Sequence, residues 1–269
     1  MDFSVSRNWV RFQSVSRKLT LVECWHNPEE ELGYFLRFLS ERMGRNWAFW
    51  AETAAKISVL GAALAKAAAD GTLKMDEKAD IACVSRDFSG VLAGLYLKRM
   101  GFPAGKLICC CNENNSVWEL VHLGSMRTDG VGLPTRTPKA DTVLPEGLEH
   151  LLFLLGGARQ GLEYARACYT GGSYSPPDEL LKDMRQELYV SVVSDNRMAF
   201  TAAGVFQTTG SPVSPYDALC IAGVQDYRAK SGENRLCLLL SQWAPGLDVD
   251  TLADALGITE KELKHSLGR

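Results

Sequence analysis

The sequence is poor in long apolar runs, in histidine and in excess charge of either sign. No stretch approaches the roughly 20 apolar residues that a membrane-spanning helix needs. The longest weakly polar run, Ile57 to Ala69, is Ala-rich and interrupted by Lys66. The chain opens Met1-Asp2-Phe3-Ser4, without the basic and then apolar order of a secretory leader. Both absences lead to the expectation of a cytoplasmic protein with no membrane partner. Twenty-nine Lys and Arg face 32 Asp and Glu, a formal net charge of −3, which disfavours a nucleic-acid partner held by charge. A hydrophobic content of 46% excludes disorder as the main state. Across 269 residues it is enough for one large domain or two modest ones.

Chemical signatures are equally sparse. The four histidines, His26, His122, His150 and His265, lie in unrelated segments. No Walker loop, Gly-x-Ser-x-Gly elbow or dinucleotide fingerprint is present. Eight cysteines include the run Cys109-Cys110-Cys111, but no Cys-x-x-Cys pair. Successive side chains of a strand point to opposite faces, so the run predicts buried thiols in a reducing compartment and no metal site.

What is present is a pattern of buried strands alternating with helices. Leu19–Cys24, Ile81–Val84, Leu107–Cys111 and Leu236–Leu240 read as continuous apolar strands. Glu29–Arg42, Trp47–Ala69, Gly90–Met100, Leu148–Leu155, Pro177–Tyr189 and Pro215–Ala229 carry helical spacing. This order predicts an α/β fold with a three-layer parallel sheet over residues 19–269, because parallel strands are covered on both faces. Residues 123–143, rich in Gly, Thr and Pro, read as an irregular excursion. The tail 250–269 reads as two short helices split at Gly257-Ile258-Thr259, with Thr259 and Glu262 as a capping box. Residues 1–18 read as a segment that covers otherwise exposed surface.

In such sheets ligands gather at the carboxyl ends of strands. Three polar loops follow strands here: Ser85-Arg86-Asp87-Phe88-Ser89-Gly90, Asn112-Glu113-Asn114-Asn115, and Ser241-Gln242-Trp243-Ala244-Pro245. The first could offer amides, hydroxyls and a guanidinium to a phosphate. It could equally use Asp87 as a helix N-cap, and that structural reading is favoured. Asn112, Asn114 and Asn115 suit either a polar ligand or the capping of the next helix. Residue chemistry alone gives three loops and no reaction.

The same loops resemble those of the threonine synthase family. The segment from Ser85 to Ile108 is similar to that family's Thr-Gly-Asn-Phe-Gly-Asn loop, the helix after it, a Met-Gly-Leu-Pro turn and a strand. Asn112–Asn115 resembles the Asn-x-Asn-Asp that follows, and Asn46-Trp47-Ala48 resembles an Ile-Asn-Trp-Ala-Arg helix start. Thr137–Glu149 is similar to a Ser-Pro-Ala-Met-Asp-Ile stretch, and Ser214-Pro-Tyr-Asp-Ala218 to Asp-Pro-His-Thr-Ala. The resemblance implies a fold-type-II pyridoxal-phosphate architecture. It also implies a lyase chemistry that turns O-phosphohomoserine and water into threonine and phosphate.

Departures from the family pattern shape the functional expectation. The family's Schiff-base lysine lies in a Phe-Lys-Asp motif, and this chain contains none. The resemblance starts past that motif, which implies that the amino-terminal domain and the lysine-bearing segment are absent. Lys56 and Lys98 are substitutes only by elimination and read as solvated helix residues. Ser85, Arg86, Asp87, Phe88, Ser89 and Gly90 stand at the phosphate loop with both family glycines replaced and a carboxylate added. Ser241 and Gln242 stand at the pyridine-side loop, where Gln242 replaces a hydroxyl and Trp243 a small residue. The expectation is a degenerate threonine-synthase-like protein, non-catalytic alone, that binds an amino acid, a phosphorylated metabolite or a partner protein. A homo-oligomer or a larger pyridoxal-phosphate enzyme is the expected kind of protein partner. The alternatives are a divergent lyase completed by another chain, and a foldable remnant of a truncated gene.

Overall fold

A computed structural model describes residues 9–16, 19–25 and 45–267, and side chains from Phe49 to Leu267. The expected helix at Glu29–Arg42 lies outside the described residues, as does the side chain of Cys24.

A six-stranded sheet organises the chain. Its strands are β1 (Trp9–Ser16), β2 (Leu19–Trp25), β3 (Ala79–Val84), β4 (Ala104–Cys111), β7 (Leu188–Val192) and β8 (Cys237–Ser241), in the order β1-β2-β8-β3-β4-β7. The pairs β2–β8, β8–β3, β3–β4 and β4–β7 are parallel, as the continuous apolar runs predict. Residues 9–16, expected within a covering segment, form an antiparallel edge strand beside β2.

Helices cover both faces. Against one face lie α1 (Arg45–Ala69), α2 (Ser89–Arg99), α3 (Ser116–Leu123), α4 (Leu148–Gly156), α5 (Ala158–Thr170) and α6 (Asp178–Glu187). Against the other lie α7 (Asp195–Thr209), α8 (Pro215–Ser231), α9 (Val249–Leu256) and α10 (Glu260–Leu267). The strands divide their side chains between the two cores: Ile81, Cys83, Cys109 and Cys111 enter the first, and Ala82, Val84, Ile108 and Cys110 the second. The cysteine run therefore straddles the sheet, as its period of two requires. Burial raises the thiol pKa of Cys109 and Cys111, the latter to about 12, and a hydrogen bond with Cys220, then burial, raises that of Cys110.

Close packing explains one feature of the α2 sequence. A methyl group at Gly94 would stand 2.5 Å from a Leu107 methyl, so glycine sets how near α2 lies to β4.

Two sequence expectations need correction. The helix expected at Pro177–Tyr189 stops at Glu187, and Leu188–Val192 pairs with Leu107–Cys111 as β7. Leu180, Leu181, Met184 and Leu188 keep a helical spacing, which hides the boundary; the tertiary partner β4 decides it. The excursion at 123–143 contains the short strand β5 (Met126–Arg127), paired with β6 (Ser173–Tyr174). Helix α3 is the one expected after Asn115, whereas α5 and α7 have no counterpart in the sequence reading. In α7 the buried positions Met198, Thr201, Ala202 and Val205 are mostly small, so the apolar period is faint. The tail matches its reading: α9 ends at Gly257, and Glu262 Oε2 accepts from the Thr259 amide at 2.8 Å.

Candidate functional site

The loops after β3 and β8 meet at the carboxyl end of the sheet. Arg86 and Asp87 from the first, and Gln242 and Trp243 from the second, line a cavity of about 310 Å³. Phe49 and Glu52 on α1, and Glu146 before α4, complete its wall. Glu146 is held there by its backbone: its carbonyl accepts the Phe88 amide at 2.7 Å. Gly147, at φ +85°, follows it, and a Cβ there would stand 2.2 Å from the Phe49 ring. That pairing of left-handed backbone and close approach requires glycine.

Under the cavity floor, the loop is filled from within. Lys56 projects from α1, is 8% exposed, and reaches the loop. Its Nζ lies 3.3 Å from Asp87 Oδ1 and 2.6 Å from Glu52 Oε1, and it donates to Ser89 Oγ. Asp87 Oδ1 also accepts the Ser89 amide at 3.1 Å and the Ser89 hydroxyl. Burial alone would push the Lys56 ammonium down, but the Asp87 and Glu52 carboxylates outweigh it and hold it above the usual lysine value. The expectation that Lys56 is a solvated helix residue is therefore corrected: it is the buried centre of an ion-pair cluster. Its i, i+4 spacing from Glu52 was the available signal. Lys98, read the same way, is also mostly shielded and pairs with Glu187. Glu146 had no local signal, since only the fold brings it to the loop.

Three of the loop amides are committed too. Ser85 N–H donates to the Cys110 carbonyl, Phe88 N–H to Glu146, and Ser89 N–H to Asp87. The cap reading of Asp87 is corrected: Phe88 holds the N-cap position of α2 without a side-chain cap bond, and Asp87, one residue earlier, accepts the Ser89 amide and pairs with Lys56. Phe88, Ser89 and Gly90 are buried, and a Cβ on Gly90 would press on Leu240 and Cys83.

On the other side, the Trp243 ring packs on the Tyr216 ring, centroids 4.5 Å apart. Tyr216 follows the cap Ser214, whose hydroxyl accepts the Asp217 amide at 3.1 Å. Ser241 closes β8 and is buried. Gln242 Nε2 is shielded from solvent and lacks a hydrogen-bond partner among the described residues.

The second polar loop does not reach the cavity lining. Asn112 Nδ2 donates to Asp141 Oδ1 at 2.7 Å, and Asn114 Nδ2 to the same oxygen at 3.0 Å and to the Leu133 carbonyl at 2.9 Å. Asn115 precedes α3 without a side-chain cap bond. These amides brace the excursion, and the Leu133 amide returns a bond to Asn114 Oδ1 at 2.7 Å.

A phosphate-bearing cofactor such as pyridoxal phosphate can be tested against this arrangement. Its dianion would meet Glu52, Asp87 and Glu146 with Arg86 as the guanidinium, at a loop whose Ser85, Phe88 and Ser89 amides are already bonded. At the pyridine-side loop the Trp243 ring packs, tilted by 47°, on Tyr216 of α8. The residues present do not fit that group.

No family model matches the chain. A curated threonine synthase of Pseudomonas aeruginosa is 26% identical over 145 residues, 53% of this chain and 30% of that protein. Threonine synthase-like 1 of Homo sapiens is 22% identical over 152 residues, 55% of this chain and 20% of that one. The crystal structure of pyridoxal-phosphate-bound threonine synthase from Brucella melitensis superposes with a TM-score of 0.68 at 20% identity, covering 93% of this chain and 54% of the other. The chain thus spans a third or less of the length of these curated relatives, and about half of the solved neighbour. On these matches the chain is similar to threonine synthases over part of their length and shares the α/β fold of the solved ones.

Proposed function

We propose that this chain does not catalyse by itself and that it acts as a binding or regulatory protein for a small ligand. The observation that supports the reading is the Lys56 cluster. A lysine must lose its proton to attack an aldehyde. With an ordinary pKa of 10.5 the neutral fraction at pH 7.5 is already only about 0.1%, and Asp87 and Glu52 push it lower. Freeing the Lys56 Nζ would also leave Asp87 and Ser89 without their partner in a mostly buried loop. The altered loop points the same way.

The test is incubation with excess pyridoxal phosphate, borohydride reduction and peptide mass mapping. The expected outcome is scattered, substoichiometric labelling of exposed lysines. A stoichiometric adduct at a single lysine would overturn the proposal and favour the lyase reading. Among the described residues no helix is long and apolar enough to cross a membrane.

A further inference from the structure

The cavity above Lys56 has a charge pattern unlike that of a phosphate site. Three carboxylates, Glu52, Asp87 and Glu146, face one guanidinium, Arg86, across about 310 Å³. Counting Lys56 beneath them, the surroundings carry a formal charge of −1. The crowding has a visible effect: partial burial, then Asp87 and Glu52, raise the pKa of the Glu146 carboxyl, and Arg86 only partly offsets them. Neither Glu146 nor Arg86 makes a side-chain hydrogen bond or salt bridge among the described residues. The Gln242 Nε2 donor is shielded and unpartnered, which calls for an acceptor that the described protein does not supply. Phe49 and Trp243 add aromatic surface suited to an alkyl chain or to a cation.

These features together select one ligand chemistry. A phosphate ester would place two negative charges among three carboxylates. A bare metal ion lacks a cage, because among the described residues no three His, Cys, Asp or Glu side chains converge as ligands. It would also leave Gln242 Nε2 unmatched and face Arg86. A molecule carrying both an ammonium and a carboxylate satisfies every group. We propose that the cavity binds a free amino acid, its ammonium on Glu146 and Glu52 and its carboxylate on Arg86 and Gln242 Nε2. The site's charge of −1 favours an amino acid with a cationic side chain. This inference rests on the non-catalytic reading above and narrows its ligand to the amino-acid class.

Isothermal titration of the full chain tests it, with L-lysine as the probe. The expected result is one-to-one binding of L-lysine, none of its Nα,Nε-diacetyl derivative, and none of inorganic phosphate or pyridoxal phosphate. Glu146→Gln should weaken L-lysine binding about tenfold or more, the scale of a lost charged hydrogen bond. Its melting temperature should stay level or rise, since a repelled carboxylate is removed; that reading separates lost binding from lost folding. Binding of phosphate with L-lysine silent, no heat with L-lysine, or L-lysine binding indifferent to Glu146→Gln would each overturn the inference. The two proposals fail separately. A single-lysine cofactor adduct sinks the non-catalytic reading, whereas absent L-lysine binding without such an adduct sinks only the amino-acid site.

Discussion

Lys56 and Asp87 stand 31 residues apart in sequence and share one buried junction. Their partners differ in exposure: the Asp87 side chain is 17% exposed and that of Glu52 49%, so removal of Lys56 strands mainly Asp87. Lys56→Met should therefore destabilise the protein by about 3 kcal/mol, the scale of a broken buried pair. Adding Asp87→Asn should restore most of that loss, because the remaining uncompensated charge is gone. Urea unfolding of the two single variants and the double variant measures the coupling; additive effects would contradict a shared junction. A spacing of four residues made the Glu52–Lys56 pair legible in sequence. The Asp87 contact was not, since nothing local reports which loop faces the helix.

At the scale of elements, the excursion between α3 and α4 depends on one carboxylate. Asp141 accepts from Asn112, Asn114, the Thr135 hydroxyl at 2.7 Å and, through its second oxygen, the Thr135 amide at 3.1 Å. Lys139 then ties the same stretch to Asp248 at 2.8 Å, just before α9. Asp141→Ala removes the charged acceptor they share, which leaves the Thr135 amide without a partner and Asn112, Asn114 and the Thr135 hydroxyl on their neutral ones, at a cost of about 3 kcal/mol. Hydrogen exchange should quicken across residues 131–141 before it does so in β4; unchanged protection there would show that backbone contacts alone hold the segment. Composition identified this segment as irregular but could not reveal its order. Regular periodicity was absent because side-chain hydrogen bonds, and not an apolar face, fix its course.

For the whole molecule, stability against pH depends in part on a carboxylate at the opposite, amino end of the sheet. Asp80 is 3% exposed, accepts the Lys106 amide at 2.7 Å and lies 3.7 Å from Arg235, so it joins β3, β4 and the approach to β8. Burial raises its pKa above the ordinary 3.8, and the Lys106 bond and Arg235 only partly oppose this. The folded state then holds a proton that the unfolded chain releases, in the window above 3.8. This contribution to stability grows as pH falls from neutral towards 3.8 and fades as pH rises through the folded value. Asp80→Asn keeps an acceptor for the Lys106 amide and lacks the titration. Wild type should accordingly gain melting temperature relative to Asp80→Asn on mild acidification, and a constant difference would refute the assignment.

Some of this protein was settled by local chemistry. β-branched and apolar runs bounded by turn residues determine four of the sheet strands; β3, β4 and β8 are buried along almost all of their length, which calls for apolar side chains on both faces. The glycine at 257 and the Thr259–Glu262 box determine the split tail for the same local reason. The fold alone decided the rest. It made β7 a strand against its helical spacing, sank Lys56 into the loop, and carried Glu146 to the cavity. Each depends on a partner distant in sequence, and Coulomb and hydrogen-bond energies act on distance in space. Sequence supplied the charges; tertiary structure alone decided that three carboxylates gather at the loop that resembles a phosphate loop.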